Sequence, residues 1–174
     1  MADNEQLTDI LIVIDAESIM ERYQGQPAGT ADRPTFIGTD TNLVYMFVRS
    51  DEVVSGQATS DLNVHIEPNS IVRWRATSLT MNTRYNATLS SCRITQGQSL
   101  ISTPTPITAT VYVAIPQLGG GAVTGTSKQS VNDFFFQAIG NGSGQVTYTF
   151  TFAITDNDGN VRGYFQWDPH LSIS

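Results

Sequence analysis

The stretch "QVTYTFTFAIT", residues 145 to 155, constrains the fold more than any other part of the chain. Val146, Tyr148, Phe150, Phe152 and Ile154 fall on one parity, and Thr147, Thr149 and Thr151 on the other. Side chains of an extended strand alternate between faces, so this period turns an aromatic stripe to a core and a row of hydroxyls away from it. A helix would scatter both sets around its axis. A sheet face this apolar needs a second layer to cover it, which points to a sandwich.

The same period recurs. In "DLNVHIE" (61–67) Leu62, Val64 and Ile66 face inward, and in "SIVRWRATSL" (70–79) Val72, Trp74 and Ala76 oppose Arg73 and Arg75. In "RYNATLSSCRI" (84–94) Tyr85, Ala87 and Leu89 share one parity while Cys92 and Ile94 have the other. One extra residue near Ser90-Ser91 restores a single inward face, so the sequence predicts a β-bulge there. "TATVYVAI", "VNDFFFQAI" and "VRGYFQW" complete a set of eight or nine strands separated by Gly, Asn and Asp turns. The expectation is an all-β, antiparallel two-sheet β-sandwich of jelly-roll or Greek-key type, a single domain spanning residues 1–174.

One helix is expected. Asp15 is placed to cap "DAESIMERYQG", Glu17 suits its positive end, Ile19 and Tyr23 share a face, and Gly25 can end it. It is an accessory element near the N-terminus. Two segments read as loops: the long connection Gln24 to Asn42, and the Gly-rich "PQLGGGAVTGTSKQS" ending at Ser130. "DILIVIDA" and "NLVYMFV" are apolar on both parities, and an apolar second face needs its own cover. The helix can cover one; a partner chain covering the other, or extending an open sheet edge, predicts a homodimer or higher assembly.

Composition excludes several functions. Charged residues make up 14% of the chain against a usual ~25%, so Thr, Ser, Asn and Gln carry the polar surface. Acidic residues outnumber basic ones twelve to three up to Glu67, the net charge is −7, and Lys128 is the only lysine. Without a basic cluster there is no footprint for nucleic acid or an anionic membrane. The run Ile10 to Ile14 is too short for membrane insertion, and "MADNEQLTDILIVIDAES" lacks the basic region of a classical signal peptide. Cys92 is the single cysteine, which fits a reducing cytoplasm.

Chemical motifs are sparse. Asp156, Asp158 and Asn160 in "ITDNDGNVRGYFQWDP" alternate like calcium ligands, but an EF-type loop starting at Asp156 needs glycine where Val161 stands and an acid where Trp167 stands. Asp158-Gly159 between alternating strands predicts a type I′ hairpin instead. The triple glycine lacks the lysine and helix of a phosphate loop. His65, His170 and Cys92 have neither zinc spacing nor a nucleophile setting. The expectation is a non-enzymatic protein with no metal and no cofactor. Sugar recognition uses an aromatic face beside carboxylate or amide groups, and "GYFQWDPH" could supply Tyr164, Trp167, Asp168 and His170 as ligand-binding residues. The competing fate of Trp167 is burial with Phe165 in the core.

Three stretches together resemble one family: "ILIVIDAESIMERY", "VSGQATSDLNVHI" with "IVRWRATSL", and "GYFQWDPHLSIS". The chain is similar over nearly its whole length to the AidA/PixA inclusion-body proteins of bacteria. That resemblance implies a cytoplasmic protein able to accumulate in inclusion bodies, with quorum-controlled expression and a part in host interaction. The chain departs from the methionine-rich PixA branch, having only four methionines. Two function classes stand: a lectin-like, carbohydrate-binding module acting on glycans, and a self-assembling structural or storage protein.

Overall fold

The computed structural model describes residues 6–38 and 42–174. Residues 1–5 of the stretch read for a leader, and 39–41 of the long connection, lie outside the described residues. In chain order come β1 (Leu7–Ile14), α1 (Ala16–Arg22), β2 (Thr35–Phe36), β3 (Val44–Phe47), β4 (Val53–Ser55) and β5 (Asn63–Ile66). Then follow β6 (Ile71–Ser78), β7 (Tyr85–Gln96), β8 (Thr105–Gly119), β9 (Ala122–Ile139), β10 (Gly144–Asp156), β11 (Val161–Trp167) and β12 (His170–Ile173). A five-stranded sheet runs β3-β1-β6-β9-β8. A seven-stranded one runs β2-β11-β10-β12-β5-β4, with β7 paired to β10.

The sandwich is as expected, but its sheets are mixed. β1 pairs β6 in parallel, as do β11 with β2 and β12 with β5. Parallel neighbours cannot be joined by a tight hairpin, and each of these pairs is separated in sequence by strands of the other sheet. The core lies between the two inner faces. From β10 it takes Val146, Tyr148, Phe150, Phe152 and Ile154, all fully buried. Against them stand Ile10, Ile12 and Ile14 of β1, Met46 of β3 and Trp74 of β6. Trp74 donates its indole N–H to the Tyr148 hydroxyl at 3.1 Å, and both rings sit edge-on to Phe150. That bond satisfies two polar atoms which burial would otherwise strand.

The predicted bulge is present. Ser91 lies opposite Thr151 and Leu89 opposite Phe152, leaving Ser90 extra. Its hydroxyl donates to the Thr151 carbonyl at 3.2 Å. A second irregularity leaves Thr95 extra, and its hydroxyl donates to the Thr147 carbonyl at 3.1 Å. The parity slip therefore turns Cys92 and Ile94 inward toward the core. Helix α1 is capped by Asp15, whose carboxylate accepts from the Ser18 backbone N–H at 3.0 Å. Ile19 is buried, Tyr23 packs on Phe165, and Gly25 takes a φ of +81° beyond the end.

The Gly-rich segment is the clearest departure from expectation. Residues 116 to 130 are not a loop but the outer part of a β8–β9 ribbon paired from Thr105↔Gln137 to Gly119↔Ala122, with one register shift that leaves Thr124 extra. Gly120 and Gly121 both have positive φ, +60° and +79°, the requirement of a two-residue type I′ turn. The segment misled because its strands carry polar residues on both faces, as a strand with no core beneath it does.

Candidate functional site

The C-terminal residues do not converge. Trp167 is 1% exposed, stacked on Phe150 at 5.8 Å and edge-on to Phe152 at 5.6 Å. Its ring fills the core and cannot lie on a sugar; the two strand partners that bury it also face inward. Tyr164 sits half-buried on the opposite, outer face of β11, across from Ala153. His170 lies across from Thr147 on the same β10, so roughly 20 Å of strand separates the two at ~3.3 Å per residue. Asp168 is exposed in the short step between β11 and β12, and His170 Nδ1 is 3.4 Å from an Asp61 carboxylate oxygen.

The Asp156 loop is a closed turn. The carboxylate accepts from the Asp158 and Asn160 backbone N–H groups at 3.0 and 2.9 Å, from the Asn160 side-chain amide, and pairs with Arg162 at 2.8 Å. Those bonds, the Asn160 side chain first, hold its pKa below the usual carboxylate range. The turn is not type I′: Gly159 has a φ of +82° and Asp158 no positive φ. A type I turn followed by a left-handed glycine closes the hairpin, with the Gly159 N–H donating to the Asp156 carbonyl. Among the described residues no group of three or more His, Cys, Asp and Glu gathers as a metal set. Burial raises the pKa of the Cys92 thiol, which makes it a poor nucleophile. No helix among the described residues is long and apolar enough to cross a membrane.

Between Tyr164 and His170 lies a groove that sequence reasoning missed. Its floor is the outer face of the seven-stranded sheet: Thr149 and Thr151 of β10, Gln166 of β11, and Ser91 and Arg93 of β7. Ala31 to Pro34 form one wall, a turn closed by reciprocal Thr30 and Arg33 backbone hydrogen bonds of 3.1 Å. The groove holds about 400 Å³. Arg33 and Arg93 form no ion pair among the described residues, and Asp32 adds one carboxylate to the rim. Guanidinium, hydroxyl and amide groups so placed can hydrogen-bond a polyhydroxylated or acidic ligand. The outward threonines were legible; that Arg33 would fold over them was not, since it lies far away in sequence. Arg73 and Arg75 are engaged elsewhere, Arg75 with Asp9 and Asp133 and Arg73 with Gln137, both guanidinium groups over Phe135.

The fold and its surfaces define a β-sandwich protein of two mixed sheets, a long ribbon and a polar groove. Its sequence matches the profile of PixA, described as inclusion body protein, over residues 6–173, and the chain belongs to that family. Its structure is similar to the crystal structure of a PixA inclusion body protein from Burkholderia cenocepacia, with a TM-score of 0.78. Identity is 22%, and the likeness covers 100% of this chain and 99% of that one. Amebosin is far more distant, with 10% identity, a TM-score of 0.27, and coverage of 81% of this chain and 98% of that one. A cysteine protease inhibitor from Entamoeba histolytica has 13% identity, a TM-score of 0.24, and coverage of 64% and 86%. No curated protein matches the chain.

Proposed function

We propose that this chain is a non-enzymatic structural protein whose function is its own assembly, in keeping with the inclusion bodies for which its family is described. The observation that carries this reading is the β8–β9 ribbon. It extends past the sandwich with Tyr112 64% exposed, Leu118 79% and Val123 63%, and β8 ends the five-stranded sheet with an edge that no strand pairs among the described residues. An isolated two-stranded ribbon is marginal in water, and an open edge is a template for another chain. Light scattering of the full chain across micromolar to high micromolar concentrations tests it. A mass that rises with concentration supports assembly; a monomer throughout contradicts it.

The groove favours a second reading, a lectin-like module that takes acidic or polyhydroxylated glycans and serves host interaction. What supports it is Arg33 and Arg93, which form no ion pair among the described residues, beside a row of hydroxyls. A glycan array reads this directly: binding weakened by Arg93→Ala and by Arg33→Ala supports it, and a blank array removes it. Asp168, His170 and Tyr164, which flank the groove at a distance, are then rim residues at most.

A further inference from the structure

The assembly reading leaves open which surface meets which, and β8 carries an answer in its own sequence. Between Pro106 and Pro116 the strand reads "ITATVYVAI", residues 107 to 115, without a charge, a proline or a glycine. Charges, prolines, bulges and covering loops are how open edges are normally blunted, and this stretch has none of the first two and no register irregularity. It is also neutral within a chain of net charge −7, so two copies can meet here without like charges in apposition.

The prolines define the phase of the edge. Pro106 and Pro116 lie within the ladder, opposite Phe136 and Thr126. A proline has no N–H to give β9, so each must occupy a position whose N–H side faces away from β9. Residues of that parity, Thr108, Thr110, Tyr112 and Ala114, therefore present their N–H and C=O groups at the open edge. Ile107, Ala109, Val111, Val113 and Ile115 spend theirs on β9.

We infer that two copies of this chain pair antiparallel through β8, about a two-fold axis at Val111. This rests on the assembly reading and specifies its first contact. Thr108 then faces Ala114 of the second copy and Thr110 faces Tyr112, each pair exchanging two backbone hydrogen bonds. Pro106 falls opposite Pro116, so the positions that cannot donate meet each other at both ends of the seam. Sliding the register by two residues in either direction sets a proline against Ala114 or Thr108 and leaves that residue's C=O without a donor, so only the Val111 axis pairs every N–H and C=O of these four residues. A two-fold interface of this kind closes on itself and joins the two five-stranded sheets into one. It also gives the ribbon the third strand that a two-stranded arm lacks.

Cysteine scanning reads the register. The full chain, with Cys92 retained in every version, is oxidised at a concentration where light scattering shows association. Across the axis the Val111 pair is not hydrogen-bonded, with Cα atoms about 4.5 Å apart, inside the range a disulfide spans. Val113 and its own copy are separated by four residues of register, roughly 14 Å. Val111→Cys is thus expected to form a covalent dimer about tenfold faster than Val113→Cys. Val113→Cys mixed with Ala109→Cys should cross-link to each other. Thr110→Pro, in phase with the native prolines, is expected to keep its circular dichroism and melting temperature while losing the dimer. Equal cross-linking of Val111→Cys and Val113→Cys, or a Thr110→Pro protein that still dimerises, overturns the seam while assembly stands. A wild-type chain that stays monomeric at all concentrations overturns both.

Discussion

Strand β9 has two different surroundings along its length. Near its end Phe135, Phe136 and Ala138 are buried, with Phe136 edge-on to Phe150 and Phe135 roofed by two guanidinium groups. Nearer its start, from Ala122 to Gln129, the residues have β8 on one side and solvent on most of the other. The β8 ladder runs along both halves, but only Phe136 to Ile139 also pair with β6, and the strand is buried only near that end. Hydrogen bonding and β propensity suffice to draw a strand, whereas burial decides how much each residue contributes to stability. Here the half that contributes least to the core has the most surface left for a partner.

Core and ribbon should therefore respond to substitution on different scales. Phe150→Ala removes a ring that touches Trp74, Phe136, Tyr148 and Trp167, and should cost about 3–5 kcal/mol in urea unfolding. Leu118→Ala at the ribbon tip should stay within about 0.5 kcal/mol in dilute protein. If the two variants lost similar stability, the contrast between the regions would be wrong. A smaller loss is expected from Tyr148→Phe. It keeps the ring but leaves the Trp74 indole N–H buried without its acceptor, at about 1–3 kcal/mol. A thermal shift no larger than that of a surface variant would show that this N–H finds another partner.

Gly29→Ala probes a junction between the long connection and the sandwich. A Cβ at Gly29 would lie 2.2 Å from the Tyr164 carbonyl, where the Tyr164 N–H also donates to the Gly29 carbonyl at 3.0 Å. The wall of the groove must shift to admit it. A loss of about 1–3 kcal/mol is expected, with any glycan binding weakened alongside. Unchanged stability would mean that the connection moves freely.

The mildest expected effect is pH-dependent. The Asp156 carboxyl has a folded pKa below its unfolded one, so its contribution is present above the ordinary carboxylate range and is lost as pH falls through the lowered value. Asp156→Asn should flatten that part of the acid limb in melting temperature against pH and leave neutral-pH binding unchanged. An unaltered acid limb would assign it to other carboxyl groups.

The sandwich was readable because its strands alternate against a core. Val146 to Ile154 declared a face, Asp15 declared a helix start, and the parity change after Leu89 located a bulge to within a residue. Parallel pairing was not readable, since β1 and β6 are far apart in sequence and alternation says nothing of direction. The ribbon failed for a physical reason: with no core, Thr124, Thr126 and Gln129 have no cause to alternate with apolar residues, and the glycines of the Gly120-Gly121 turn read as those of a loop. The site fared worst. Trp167 shares its parity with Phe165, which was already the argument for burial, and the Arg33 wall of the groove is a tertiary accident of the long connection.

Hydrogen–deuterium exchange at two protein concentrations tests the central claim most directly, because it reads both regions in one sample. The account predicts that amides of β10 and β6 are protected to the same extent at low and high concentration. Those of Thr108, Thr110, Tyr112 and Ala114, which face the open edge, should exchange freely when dilute and become protected when concentrated. Protection of these four amides that is the same at both concentrations would contradict it.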